Sequence, residues 1–158
     1  MLDYGLLEDE IVSRLNDRFV KESVTDNFLS VVRPENEADI KKVYEKGVAF
    51  VAYADSLFTN SQSIDQVVQR ETVKIRVFMV TDNLRGDNGH YKLNRWVKLS
   101  LVGYQPNHCS NRLYISDYKE ISYDNGRWSC MLEFTTETSL GQESYDEPII
   151  GGAFQGFN

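Results

Sequence analysis

Four side chains in this 158-residue chain belong to types that hold metals or attack carbonyls: His90, His108, Cys109 and Cys130. Imidazole nitrogen and thiolate sulfur are the donors zinc prefers, and a thiol beside an imidazole is the starting point of a covalent catalyst. Their spacing matches neither a zinc finger nor a zinc ribbon. His90 falls in the first turn of an expected helix, and Cys130 falls on the inward face of an expected strand. Ser110, next to His108 and Cys109, makes no triad, and the sequence contains neither a Gly-x-Ser-x-Gly elbow nor a His-Glu-x-x-His pair. The acidic neighbours Asp9 and Glu10, and Asp146 and Glu147, stand in polar text where hydration accounts for them. The expectation is a protein without a catalytic site, cofactor or metal.

A glycine turn leading into a helix is the other chemical signal, because such a turn can cradle phosphate. Gly86 and Gly89 flank Asp87 and Asn88 just ahead of a helical stripe formed by Leu93, Trp96, Val97 and Leu101. The turn lacks the Lys-Ser/Thr ending of a phosphate loop and the full dinucleotide glycine spacing, and it puts Asp87 where an anion would sit. Nucleotide binding is rejected. The stretch from Leu84 to Pro106 is read as the organising element. Its glycines take positive φ, Asp87 or Asn88 caps the helix, Gly103 ends it and Pro106 forbids resumption.

The remaining elements follow from hydrophobic period. Leu7, Ile11, Leu15 and Phe19 recur every four positions and predict a helix from Leu6 to Phe19, with Glu8 to Glu10 in its first turn. Phe28 to Val32 reads as a strand before Arg33-Pro34, a small helix opens at Asn36 or Glu37 and runs to about Tyr44, and Gly47 stops it. Val48 to Ala54 is an apolar run expected to be a central strand. Asp55 to Gln66 reads as a long loop anchored by Leu57, Phe58 and Ile64.

Val73, Ile75, Val77 and Met79 alternate with polar residues and predict the buried face of a strand whose other face carries a basic stripe of Arg70, Lys74 and Arg76. Leu113 to Tyr123 and Trp128 to Thr138 flank Asn125-Gly126, a type I′ hairpin signal. That turn opposes Tyr123 to Trp128, Ile121 to Cys130, Lys119 to Leu132 and Asp117 to Phe134 on the core face, leaving Tyr118, Glu120, Met131 and Glu133 on the other.

A formal charge of −7 argues against a surface that grips nucleic acid, although an acidic wall suits a passage through which DNA slides. Two cysteines are too few for a disulfide framework, so both are expected to be free and the compartment reducing. Neither a positive leader after Met1 nor an apolar run of bilayer length is present, so neither secretion nor a membrane is expected. Residues 1–140 read as one mixed domain and 141–158 as a glycine-rich tail carrying Ile149, Ile150, Phe154 and Phe157. Such a tail either packs in part on its own domain or orders on a neighbouring subunit.

Taken in order, the segments Ile11-Val-Ser-Arg-Leu15, Val68-Gln-Arg70, Leu84-Arg-Gly86 with Gly89-x-Tyr91, Gly103-Tyr-Gln-Pro106, Gly126-Arg-Trp128 and Phe134-Thr-Thr136 carry a resemblance. The chain resembles small tail-completion proteins of Mu-like contractile-tailed phages, which are similar to tail terminators. The resemblance covers Leu7 to Thr138 and implies an α/β (α+β) fold: a single mixed, mainly antiparallel sheet with two main helices packed on one face. It also implies a hexameric ring that caps the tail tube and sheath, joins the head connector and meets DNA only in passage, in a virion assembled in the host cytoplasm. Arg70, Lys74, Arg76, Ile149, Ile150, Phe154 and Phe157 are the expected subunit or tube contacts. A different tail or baseplate component, or a small cytosolic enzyme, is the alternative.

Overall fold

The computed structural model describes residues 1–24, 27–35 and 47–142. Among these residues the chain forms two helices and one five-stranded mixed sheet, an α+β fold. The sheet order is β1 (Leu29–Val32), β2 (Gly47–Phe58), β3 (Val68–Thr81), β5 (Arg127–Gly141), β4 (Tyr114–Asp124). β1 and β2 run parallel and every other pair is antiparallel. The helix expected between Asn36 and Tyr44 and the tail beyond Gln142 lie outside the described residues.

Helix α1 (Tyr4–Lys21) begins earlier than its hydrophobic period announces because Asp3 caps it, accepting the Leu6 N–H at 2.9 Å. Glu8 and Glu10 therefore miss the first turn. They make specific contacts instead. Glu8 accepts the Tyr53 N–H at 2.8 Å, beside a bulge in β2, while Glu10 accepts the Tyr104 hydroxyl at 2.5 Å and the Asn107 N–H. The Leu7, Ile11, Leu15 and Phe19 stripe is buried as expected. At the start of the helix Tyr4 stacks on Tyr53 and its hydroxyl donates to the buried Glu71 carboxylate, which also accepts from Ser56 at 2.5 Å. The bond to Glu71, helped by burial, raises the Tyr4 hydroxyl to a pKa of about 12.

Two expectations about β2 are corrected. The strand continues through its bulge to Phe58, because the backbone of Asp55 to Phe58 keeps pairing with β3 although the side chains are polar. The loop shrinks to residues 59–67, and Leu57, Phe58 and Ile64 are exposed, so they anchor nothing within the described residues. β2 is interior, but the middle strand is β3. Gly47 opens β2, and a Cβ there would stand 2.8 Å from the Phe28 ring.

Helix α2 (His90–Leu101) lies beside α1, and both pack on one face of the sheet, closing over Val73, Ile75, Val77 and Met79. Trp96 is only partly buried; His90 and Ser100 take fully buried positions beside Leu93, Val97 and Leu101. The expected cap is wrong. Neither Asp87 nor Asn88 caps an amide of the helix start, Asp87 accepting from the Lys92 ammonium at 3.2 Å instead. The His90 and Tyr91 amides reach back to the carbonyls of Asn83 and Leu84, at 2.8 and 3.2 Å. Gly86 has φ +88°, but Gly89 does not take positive φ; it is needed because a Cβ would lie 2.5 Å from the Arg85 carbonyl carbon. Gly103, at φ +84°, follows the helix end as read.

Asn125 and Gly126 have φ of 50° and 78° and make the hairpin turn, with Tyr123 opposite Trp128. Further along, β4 carries two extra residues, so Lys119 faces Met131, Asp117 faces Glu133, and Ile115 takes the place opposite Phe134. The expected register would have set an aspartate against the buried Phe134. Bulging of an edge strand removes that charge from the core and leaves Ile115 and Ile121 packed against it.

Candidate assembly surfaces

The nearest approach to a reactive centre lies inside the core. His90 at the start of α2 points at β3 and β5, with Nδ1 3.1 Å from Thr81 Oγ1 and Nε2 3.0 Å from Cys130 Sγ. Thr81 donates its hydroxyl proton to the Asn83 carbonyl at 2.8 Å, so its oxygen accepts from His90. That assigns the Nδ1–H tautomer, leaves Nε2 to accept from the Cys130 thiol, and lets Asn94 Nδ2 donate to the same sulfur at 3.5 Å. Burial drives the imidazole down to a pKa of about 4 and pushes the thiol up. Both groups are therefore neutral near pH 7, the opposite of the thiolate and imidazolium that an activated cysteine requires. The other two members of the quartet are not brought into this network. Cys109 is free and buried, and His108 sits at φ +62° in the loop after α2. Among the described residues no group of three or more His, Cys, Asp and Glu could hold a metal ion, and no helix is long and apolar enough to cross a membrane.

The basic stripe lies on the face of β3 away from the helices, and the structure pairs much of its charge. Arg76 Nε donates to Glu133 Oε1 at 3.1 Å, and Arg70 stands 4.0 Å from Glu137. Glu133 is buried even though it lies on the uncovered face; beyond Arg76, it is 3.4 Å from the hydroxyl of Ser116, which sits at the first β4 bulge. Thr135 donates to that hydroxyl at 2.6 Å. Lys74 has no carboxylate partner within the described residues. Along the same face the surface turns apolar: Phe50, Phe78, Val80, Arg33 and Pro34 line a shallow hollow of about 230 Å³, with the Arg33 guanidinium 5.6 Å from the Phe78 ring centre. Ile149, Ile150, Phe154 and Phe157 lie outside the described residues.

Another surface was missed in the sequence. Between α2 and β4 runs a groove of about 410 Å³, with Asn94 and Lys98 on the helix side, Ile115, Tyr118 and Ile121 on the strand side, and Cys130 and Leu132 beneath. Tyr118 and Glu120, expected on the far face, line this groove. The signal was present in β4 itself. One face read as a regular strand runs Ile115, Asp117, Lys119, Ile121, and charges between two core isoleucines announce bulges.

These features define a small α+β protein with helices on one face of a mixed sheet, an opposite face that is part paired charge and part apolar, and no activated nucleophile in its polar core network. Its fold is shared, at 14% identity and a TM-score of 0.50, with a chain in the virion of a native gene transfer agent (GTA) particle; the match covers 85% of this chain and 95% of that one. Residues 11–149 match the Gp37 protein family, and the chain belongs to that family. No curated protein matches it.

Proposed function

We propose that the chain is a structural protein of a phage-like virion, and within it a tail terminator. In this reading a hexameric ring caps the tail tube and sheath, stops their growth and gives the head connector a surface to join. The observation that carries the reading is the likeness to a virion chain across 95% of that chain's length, together with membership of the Gp37 family. The neutral His90–Cys130 pair is compatible with it, since an assembly component needs surfaces and not a nucleophile. A net charge of −7 suits a ring whose opening passes DNA without holding it. Lys74, with Arg70 and Arg76, then meets a subunit or tube neighbour and stays out of the opening.

Sedimentation of the purified protein tests the ring, and gold-labelled virions test its place. A particle of six chains and label at the head-proximal end of the tail are the expected results. Label at the baseplate end would replace the terminator reading with that of another tail component. Tight, salt-sensitive binding of free duplex DNA, or a ring opening lined by the basic stripe, would remove the account of the charge.

A further inference from the structure

The groove beside β4 has a chemical character that narrows what can fill it. α2 packs over β2 and β3, so among the described residues the inward side of β4 has no helix above it. The floor is apolar, made by Ile115, Ile121, Cys130 and Leu132. The rim carries Lys98 and Lys119, both exposed, with Glu120 beside them. Neither lysine has an ion-pair partner within the described residues, and Tyr118 is 69% exposed at the same rim. A complementary occupant is an extended segment with acids next to branched apolar residues. The chain contains one: Asp146-Glu147-Pro148-Ile149-Ile150.

We propose that the groove receives this C-terminal segment from a second copy of the chain. Ile149 and Ile150 lie on the apolar floor while Asp146 and Glu147 face Lys98 and Lys119. The inference rests on the ring reading and supplies one of its joints. Pro148 has no N–H to give a ladder, which suits a segment seated by its side chains better than an added strand. Chain length separates a second copy from self-docking. β5 keeps its direction through Gln142, whose N–H bonds to Val67 O at 2.9 Å. From Leu132 at the groove to Gly141 the strand covers about 30 Å, at ~3.4 Å per residue. The near end of the floor, Ile115 opposite Phe134, lies eight positions back from Gln142, and Ile150 lies eight positions after it, so a chain that spends residues on reversing direction leaves its isoleucines short of the floor. A neighbour's segment has no such limit.

The test uses the full chain in a Cys130→Ser background, because Cys130 lines the groove floor, with Tyr118→Cys and Ile150→Cys together, Cys109 being buried. Under mild oxidation the expected product is a ladder of disulfide-linked dimers and larger species, absent from either single variant and suppressed by adding Lys98→Glu. A fluorescent peptide of residues 143–158 should also bind the full-length protein, with affinity weakened about tenfold or more by Lys98→Glu. Only an intramolecular disulfide, no disulfide at all, or peptide affinity indifferent to Lys98→Glu would overturn the proposal. Sedimentation of the unmodified chain keeps the two readings apart. A ring that forms without the ladder discards the groove and keeps the ring, whereas an unmodified chain that sediments smaller than six copies, while the double variant still gives the ladder and the peptide still binds through Lys98, discards the ring and keeps the groove.

Discussion

Acid should expose the cost of keeping His90 neutral. The imidazole is fully buried, and burial lowers its pKa from 6.5 to about 4. Above pH 6.5 neither the folded nor the unfolded chain protonates this residue, and it leaves no trace in the pH dependence. Between pH 6.5 and 4 the unfolded chain takes up a proton that the folded chain refuses, so stability falls as pH falls; below about 4 both forms carry it and the loss levels off. At about 1.4 kcal/mol per pH unit over that interval, the loss is about 3 kcal/mol at most. Carboxylates titrate in the same window, so the quantity to measure is a difference. Urea unfolding of the wild type and of His90→Gln, at half-unit steps from pH 7.5 to 4, should show the wild type losing about 3 kcal/mol relative to the variant. A difference that stays flat across the range, or a His90 ring resonance titrating near 6.5, would refute the assignment of a neutral Nδ1–H imidazole bonded to Thr81 and Cys130.

Three further outcomes are expected. Val77→Asp, at a position with no exposure, should abolish cooperative melting followed by circular dichroism, since an unpaired charge would be buried beneath the helices. Gly89→Ala should destabilise more than Gly86→Ala in chemical unfolding: at Gly86 only the left-handed backbone resists, costing about 1 to 2 kcal/mol, whereas at Gly89 the new Cβ meets the Arg85 backbone. Arg76→Ala should cost more than Glu133→Gln, in the range of about 1 to 3 kcal/mol. The first strands a carboxylate side chain that is 6% exposed, and the second frees a guanidinium side chain that is already 44% exposed. Equal losses would mean that water already reaches Glu133.

Periodic burial was legible and compensation was not. The α1 stripe, the inward face of β3 and the Asn125-Gly126 turn each express one strong local rule, and the packing of helices on sheet agrees with all three. The helix cap was misread because Asp87 and Asn88 were adjacent in sequence, whereas the amides of α2 are satisfied by carbonyls of the chain just before them. The first-turn acids of α1 were misread for the converse reason: Glu8 and Glu10 answer to Tyr53, Tyr104 and Asn107, which only the fold brings near. Polar text from Asp55 to Phe58 hid a strand because its pairing is made by backbone, and a stripe of three cations concealed how many of them the adjacent strand would pair. The groove beside β4 escaped notice because it exists only once two residues have been squeezed out of the register.

The edges of the sheet bear on how many copies can gather before growth stops. A straight, unpaired strand is an endless template, since each copy that adds to it presents the same edge again. Among the described residues one edge is β1, only four residues long, and the other is β4, interrupted by two bulges. Crowded copies are thus denied the unlimited route of strand upon strand. Contacts made through side chains and segments instead set an angle between neighbours, and that rotation decides whether a head-to-tail series closes or runs on.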